Sequence, residues 1–192
     1  MAEQLFRIPF HYYSQQAFGE VRERAQHLTA TDLSDEQGAV ATLVAQYRLD
    51  KIDVDLDKLV ALPGHREEEA FRSDFFGDRQ RTVTPIYTFE LPYTGSSDLW
   101  RISPSSSRLI HLEADIRSSK LSFEIRGADK SRLDQIKDGI QINIGNQSSE
   151  IAGYNSQLED AAKQAVSRRS QELQQHDDGL NAFGVPVKSG DV

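Results

Sequence analysis

Hydrophobic positions repeat with three different periods along the 192 residues, and the changes of period divide the chain into three stretches. The first opens on Leu5-Phe6-Arg7-Ile8-Pro9-Phe10, an extended apolar piece in which Pro9 biases Ile8 away from helix. From Ser14 to about Leu28, Ala17, Phe18, Val21, Ala25 and Leu28 recur at three- and four-residue steps, which predicts a helix capped by Ser14. A second helix is expected from Ser34, where Ser-Asp-Glu-Gln forms a capping box with Gln37. Its apolar face runs through Val40, Leu43, Val44 and Tyr47. From Lys51 to Val60, Ile52, Val54 and Leu56 alternate with Asp53, Asp55 and Asp57, a strand signal that Pro63-Gly64 ends. Residues 64–80 are charged and aperiodic and read as a mobile surface loop.

The second stretch has the period of two. Val83, Pro85, Tyr87, Phe89, Leu91 and Tyr93 share one face, Ile86 is the apolar exception on the other, and the prolines near both ends predict an edge strand. Gly95-Ser96-Ser97-Asp98 is a turn, Leu99-Trp100-Arg101-Ile102 a short strand, and Ser103-Pro104-Ser105-Ser106-Ser107 a loop. Residues 109–117 and 120–126 predict a hairpin about Ser118-Ser119, with Ile116 opposite Leu121.

The third stretch is helical. Leu133, Ile136, Ile140 and Ile144 step by three or four; Ile144, Ile151, Leu158 and Ala165 then step by seven, with Tyr154 and Ala161 between them. Gly139, Gly145 and Gly153 each cost about 1 kcal/mol against alanine, so one long helix and a pair broken near Gly145-Asn146 are both open. The expected architecture is α+β: amino-terminal helices, an antiparallel sheet of about four strands, and a long carboxy-terminal helix or helix pair. Residues 1–175 form one domain, with 1–80 helical, 81–128 the sheet and 129–175 the long helix; 176–192 are a linker or tail.

Composition narrows the function classes. The net charge is −8, and it is uneven: 15 acids and 9 bases in 1–80, 5 and 6 in 81–128, 10 and 7 in 129–192. The chain has no cysteine, which removes disulfides, thiolate zinc sites and cysteine catalysis. It has no apolar run near the roughly 18 residues of a membrane span and no visible signal peptide, so the expectation is a soluble cytoplasmic protein. The acidic balance lacks the footprint of a dedicated nucleic-acid binder.

Candidate chemistry is sparse. Asp53-Val54-Asp55-Leu56-Asp57 fails as a calcium loop, because Lys58 and Gly64 stand where a glycine and a bidentate glutamate are needed. There is no glycine-rich phosphate loop, serine elbow or His-Glu-x-x-His motif. His111, Glu113 and Asp115 project from one strand face, and the hairpin register sets Glu113 opposite Glu124 and His111 opposite Arg126. Such an acidic pair wants a cation, from Arg117, Lys120, Arg126 or a metal. Asp115 with Glu124-Ile125-Arg126 is a degenerate match to the acid pattern of restriction-type nucleases, lacking its lysine. These five residues form the alternative metal or nucleic-acid face. The favoured site is instead the helix seam Ile144, Ile151, Tyr154 and Leu158, where Gln147 marks a partner-specifying layer. No cofactor or resident metal is expected.

The order of features resembles the amino-terminal regions of multidomain bacterial antiviral-defence proteins, which precede a variable effector, often a restriction-type nuclease or a TIR domain. Three segments carry the resemblance. They are Phe89-Glu90-Leu91-Pro92-Tyr93-Thr94-Gly95-Ser96-Ser97-Asp98-Leu99-Trp100, Ile102-Ser103-Pro104-Ser105, and Ile151-Ala152-Gly153-Tyr154-Asn155-Ser156-Gln157-Leu158. The last leads through Arg168-Arg169 to Phe183-Gly184-Val185-Pro186-Val187. The resemblance implies a non-catalytic sensing or assembly module, a homo-oligomer or sister-subunit partner, and an effector beyond Val192. It transfers no catalytic residue.

Overall fold

A computed structural model describes residues 2–73 and 79–183. The chain divides into two compact units, each built from two separated stretches: Met1–Tyr13 with Leu49–Ile151, and Ser14–Arg48 with Ala152–Val192. The three consecutive blocks expected from hydrophobic period therefore give way to an interleaved arrangement. The α+β class itself holds.

The first unit is organised on a sheet. Its strands are β1 (Glu3–Gln4), β2 (Ile8–Pro9), β3 (Asp53–Val54), β4 (Val60–Ala61), β5 (Arg66–Ser73), β6 (Arg79–Thr94), β7 (Ile102–Ser103), β8 (Glu113–Arg117) and β9 (Lys120–Arg126). Seven of these make one antiparallel sheet along the path β1-β8-β9-β6-β3, with β4 and β5 also on β6, while β2 and β7 pair in parallel. The sheet is larger than the four strands expected, because four of its strands (β1, β3, β4 and β5) come from residues 1–80, where the sequence predicted one strand, over residues 51–60.

β5 is the clearest departure. Residues 66–73 pair with 79–86 as an extended ribbon, where the sequence predicted a loop; residues 74–78 of that loop lie outside the described residues. The ribbon gives no apolar alternation to read because cross-strand ion pairs of Arg81 with Glu69 and Arg126 with Glu68 bind its neighbourhood together.

β6 is central, not an edge. It pairs with β9 over Ile86–Pro92, so β5, β4 and β3 occupy its opposite edge. The prolines are tolerated because each points its nitrogen where no ladder partner stands. The Pro85 carbonyl accepts from the Gly127 N–H at 2.7 Å, so its nitrogen faces the same edge, just beyond the last β9 pair, Ile86 with Arg126. Tyr93 N–H reaches Ser119 O on the β9 side, so the Pro92 nitrogen faces the other edge, in the gap between β4 and β3. Of the predicted face, Leu91 and Tyr93 are buried, whereas Val83, out on the ribbon, is exposed.

The β8–β9 hairpin has the register read from sequence: Ile116 pairs with Leu121 and Arg117 with Lys120 across Ser118-Ser119. Leu99 and Trp100 belong to a 3-10 turn (Ser97–Trp100) in place of the expected strand, and both are fully buried. Gly95 closes β6 with φ +97°, its α-carbon pressed against the Lys51 backbone.

The helices are α1 (Phe10–Gln26), α2 (Glu36–Tyr47) and α3 (Lys130–Ala182). α1 starts directly after Pro9, four residues before the expected Ser14 cap, since proline restricts the residue before it and leaves the chain after it free to turn helical. α2 is capped by Asp35, whose carboxylate accepts from Gly38 N–H at 3.0 Å. Ser34 is not the cap because its hydroxyl donates to Thr31 O inside a preceding 3-10 turn (Asp32–Asp35).

α3 is a single helix of 53 residues, which resolves the open alternative against a break at Gly145-Asn146 and carries helix beyond the expected end at 175. Its buried positions run Ile136, Ile140, Asn143, Ile144, Gln147, Ile151, Tyr154, Leu158, Ala162 and Val166. After Leu158 these depart from the heptad, which would have buried Ala161 and Ala165. A straight helix drifts about 20° per heptad, so the buried stripe moves to the next residue instead of holding a coiled-coil seam.

In the second unit, α1 from Ser14 contributes Ala17, Val21 and Ala25 to the interior. Phe18 stacks on Tyr154 at 5.6 Å between ring centroids, and the Tyr154 hydroxyl donates to Tyr47 O at 2.8 Å. Arg169 Nε donates to Leu28 O at 3.1 Å, just past the carboxy end of α1.

Candidate functional site

The four seam residues do not form a surface. Ile144, Ile151, Tyr154 and Leu158 are all buried within the chain, the most exposed of them at 8%. Gln147, expected at a partner layer, is 1% exposed and has a different use. Its Nε2 donates to Leu99 O at 2.7 Å, in the 3-10 turn, and also to Ile102 O at the start of β7. The same helix face repeats this service. Asn143 Oδ1 accepts from Arg108 N–H at 2.7 Å while its Nδ2 donates to Arg108 O at 3.0 Å. Asn146 Nδ2 donates to Ser106 O, and Glu150 Oε1 accepts from Ser105 N–H at 2.8 Å. Residues 143, 146, 147 and 150 lie on one helical face; Asn146 and Glu150 hold the serine-rich loop by its backbone, and Gln147 and Asn143 hold the chain on either side of it. A sequence signal existed: amide side chains at helical spacing, and a loop without strand pattern that needed donors and acceptors.

The alternative site is brought together. His111, Glu113, Asp115, Glu124 and Arg126 all line one groove of the first unit, about 580 Å³ in volume. Arg132 from α3 also lines it and donates to His111 O. The charges are committed to one another. Asp115 pairs with Arg117 at 2.9 Å, and that hydrogen-bonded guanidinium, first among its causes, holds the Asp115 carboxyl below its usual range. Glu124 takes its cation from Arg66 of β5 at 2.9 Å, a partner invisible while 64–80 read as loop. Arg126 pairs with Glu68 of β5 at 3.1 Å. Among the described residues no group of three His, Asp or Glu side chains is placed to hold a metal ion. The groove therefore presents charge of both signs, much of it held in ion pairs.

A second concave surface, which no motif of the sequence marks, lies in the second unit. Gln37, Val40, Ala41 and Val44 of α2 face Lys163 and Val166 of α3 across a groove of about 650 Å³ with Glu36 and Glu159 on its rim. Val166 forms buried floor, Val40 and Val44 are half-buried, and Ala41 is exposed. Lys163 and Glu159 pair at 2.6 Å. That hydrogen bond is the main reason the Glu159 carboxyl lies below its usual range, and the charge of Arg48 adds a smaller contribution.

α2 is the unusual element here. From Gln37 to Tyr47 it carries no charged side chain, and Gly38, Ala39, Val40, Ala41, Leu43, Val44 and Ala45 make it apolar on most sides. A helix of that kind is ordinarily buried all round, yet only Leu43 of α2 is buried. The sequence holds the signal, an eleven-residue run without charge in a chain that is 27% charged, although its apolar periodicity marks only the inner face.

No helix among the described residues is long and apolar enough to cross a membrane. No protein-family model, curated protein or solved structure matches the chain.

Proposed function

We propose that the chain is a non-catalytic interaction module that self-associates through the helices of its second unit. The observation that carries this reading is α2, uncharged over eleven residues and buried only at Leu43. Removing its remaining apolar surface from water is worth roughly 25 cal/mol per Å², a term the isolated chain leaves unused. The heptad residues that first suggested assembly are core, so the reading now rests on α2 and not on Ile144, Ile151, Tyr154 or Leu158. The resemblance of the three quoted segments supports a wider setting, in which this is the sensing or assembly part of a bacterial defence protein with an effector after Val192.

The deciding experiment is solution mass by light scattering over a tenfold concentration range. A dimer or larger species is expected, and a monomer at every concentration overturns the reading.

A second reading has one observation in its favour, the convergence of His111, Glu113, Asp115, Glu124 and Arg126 on one groove. It makes the groove a nucleic-acid or metal-dependent nuclease face. Glu124→Ala separates the two: loss of binding or of metal-dependent cleavage supports the second reading, and a change in stability alone assigns Glu124 to its ion pair with Arg66.

A further inference from the structure

Resting on the self-association reading, we propose that the groove between α2 and α3 receives α2 of a second copy, the two α2 helices lying antiparallel across a two-fold axis near Thr42. The charge order of the helix argues for this occupant. α2 has its acids, Asp35 and Glu36, at the amino end, Arg48 at the carboxy end, and no charge between. Glu36 lines the groove, and Arg48 is the exposed C-cap residue of the same helix.

An antiparallel neighbour of the same sequence then sets each acidic end beside a basic one. Setting Glu36 of one copy against Arg48 of the other brings Val40 against Val44 and places Ala41 beside the axis. The register needs no side chain longer than alanine at its centre, and Ala41 supplies that close approach. The two helix dipoles oppose, with each acidic amino end beside a basic carboxy end. A parallel pairing would set Glu36 against Glu36 and Arg48 against Arg48. The interface is isologous, so it closes at two copies and does not propagate.

The test uses charge reversal in the full chain. Glu36→Lys alone and Arg48→Glu alone each put like charges at both ends of the pairing, and each is expected to weaken dimerisation at least tenfold. Mixing the two variants restores opposite charges at both ends, so the mixture recovers the dimer mass that neither variant shows by itself. Ala41→Arg, at an exposed position, blocks the groove and abolishes the dimer with helicity by circular dichroism unchanged. A dimer that survives all three substitutions, or a mixture that stays monomeric, overturns the α2 pairing and leaves self-association standing. A wild-type chain that is monomeric throughout overturns both.

Discussion

At the scale of single residues, backbone geometry and hydrogen bonding make sharper demands than side-chain chemistry does. Gly95 sits at φ +97°, and a Cβ there would stand 2.0 Å from Lys51 O, with Ser96 N–H to Asp50 O and Asp50 N–H to Ser96 Oγ fixing the same crossing. Gly95→Ala is expected to cost more than about 1 kcal/mol, seen as a lowered urea midpoint with an unchanged slope. Glu3 and Arg101 show how charge acts at this scale. Arg101 donates to both Glu3 oxygens, at 2.5 and 3.0 Å, and to Asp98 at 2.9 Å. Those hydrogen bonds are the largest cause holding the Glu3 carboxyl below its usual range. A depressed carboxylate contributes stability that is full above its unfolded value, about pH 4.3, and is lost as pH falls through the folded one. Glu3→Gln should therefore lower the thermal midpoint at pH 7, and the gap to wild type should close as pH falls below about 4. A gap that persists at pH 2 would assign the loss to packing and not to charge.

Elements were legible where their physics is local and hidden where it is not. The β8–β9 register followed from alternation in Leu121, Phe123 and Ile125 with a two-residue turn, and α3 followed from the spacing of its isoleucines. β5 was not legible, because its register is set by charges on β6 and β9 that lie far away in sequence. The groove shared by His111, Glu113, Asp115, Glu124 and Arg126 was half legible for the same reason: the hairpin fixed their neighbourhood, but Arg66 and Glu68 chose their partners. Continuity of α3 was the balance left open, and packing on both sides of the glycines decided it. Gly139 has its own use, since a Cβ there would come within 3.0 Å of Ile110. Gly145 and Gly153 have no such neighbour. Gly145→Ala and Gly153→Ala are each expected to stabilise by up to about 1 kcal/mol and to add in the double variant. Destabilisation by either would reveal a role for the flexible backbone.

Over the whole molecule, the dominant fact is that neither unit is contiguous in sequence. Residues 14–48 have their packing partners in 152–182, through Phe18 with Tyr154, Tyr47 with Tyr154 and Leu28 with Arg169. A chain stopped after Ile151 should consequently lose more helical signal by circular dichroism than its missing α3 residues account for, because α1 and α2 lose Leu158, Ala162 and Val166 as well. Helicity that falls only in proportion to the deleted residues would show that α1 and α2 stand without them.

The shared helix also sets an order of events at the ribosome. α3 begins at Lys130, after every strand has been made, and its two portions belong to different units. At roughly 5–20 residues per second its 53 residues take about 3–11 s to emerge. For up to the first half of that interval the carbonyls of Leu99 and Ile102 wait for Gln147, and α1 waits for Tyr154. The nascent chain thus carries its sheet and its first two helices unsealed until α3 is well under way, a window in which their apolar surface is open to a chaperone or to a neighbouring chain.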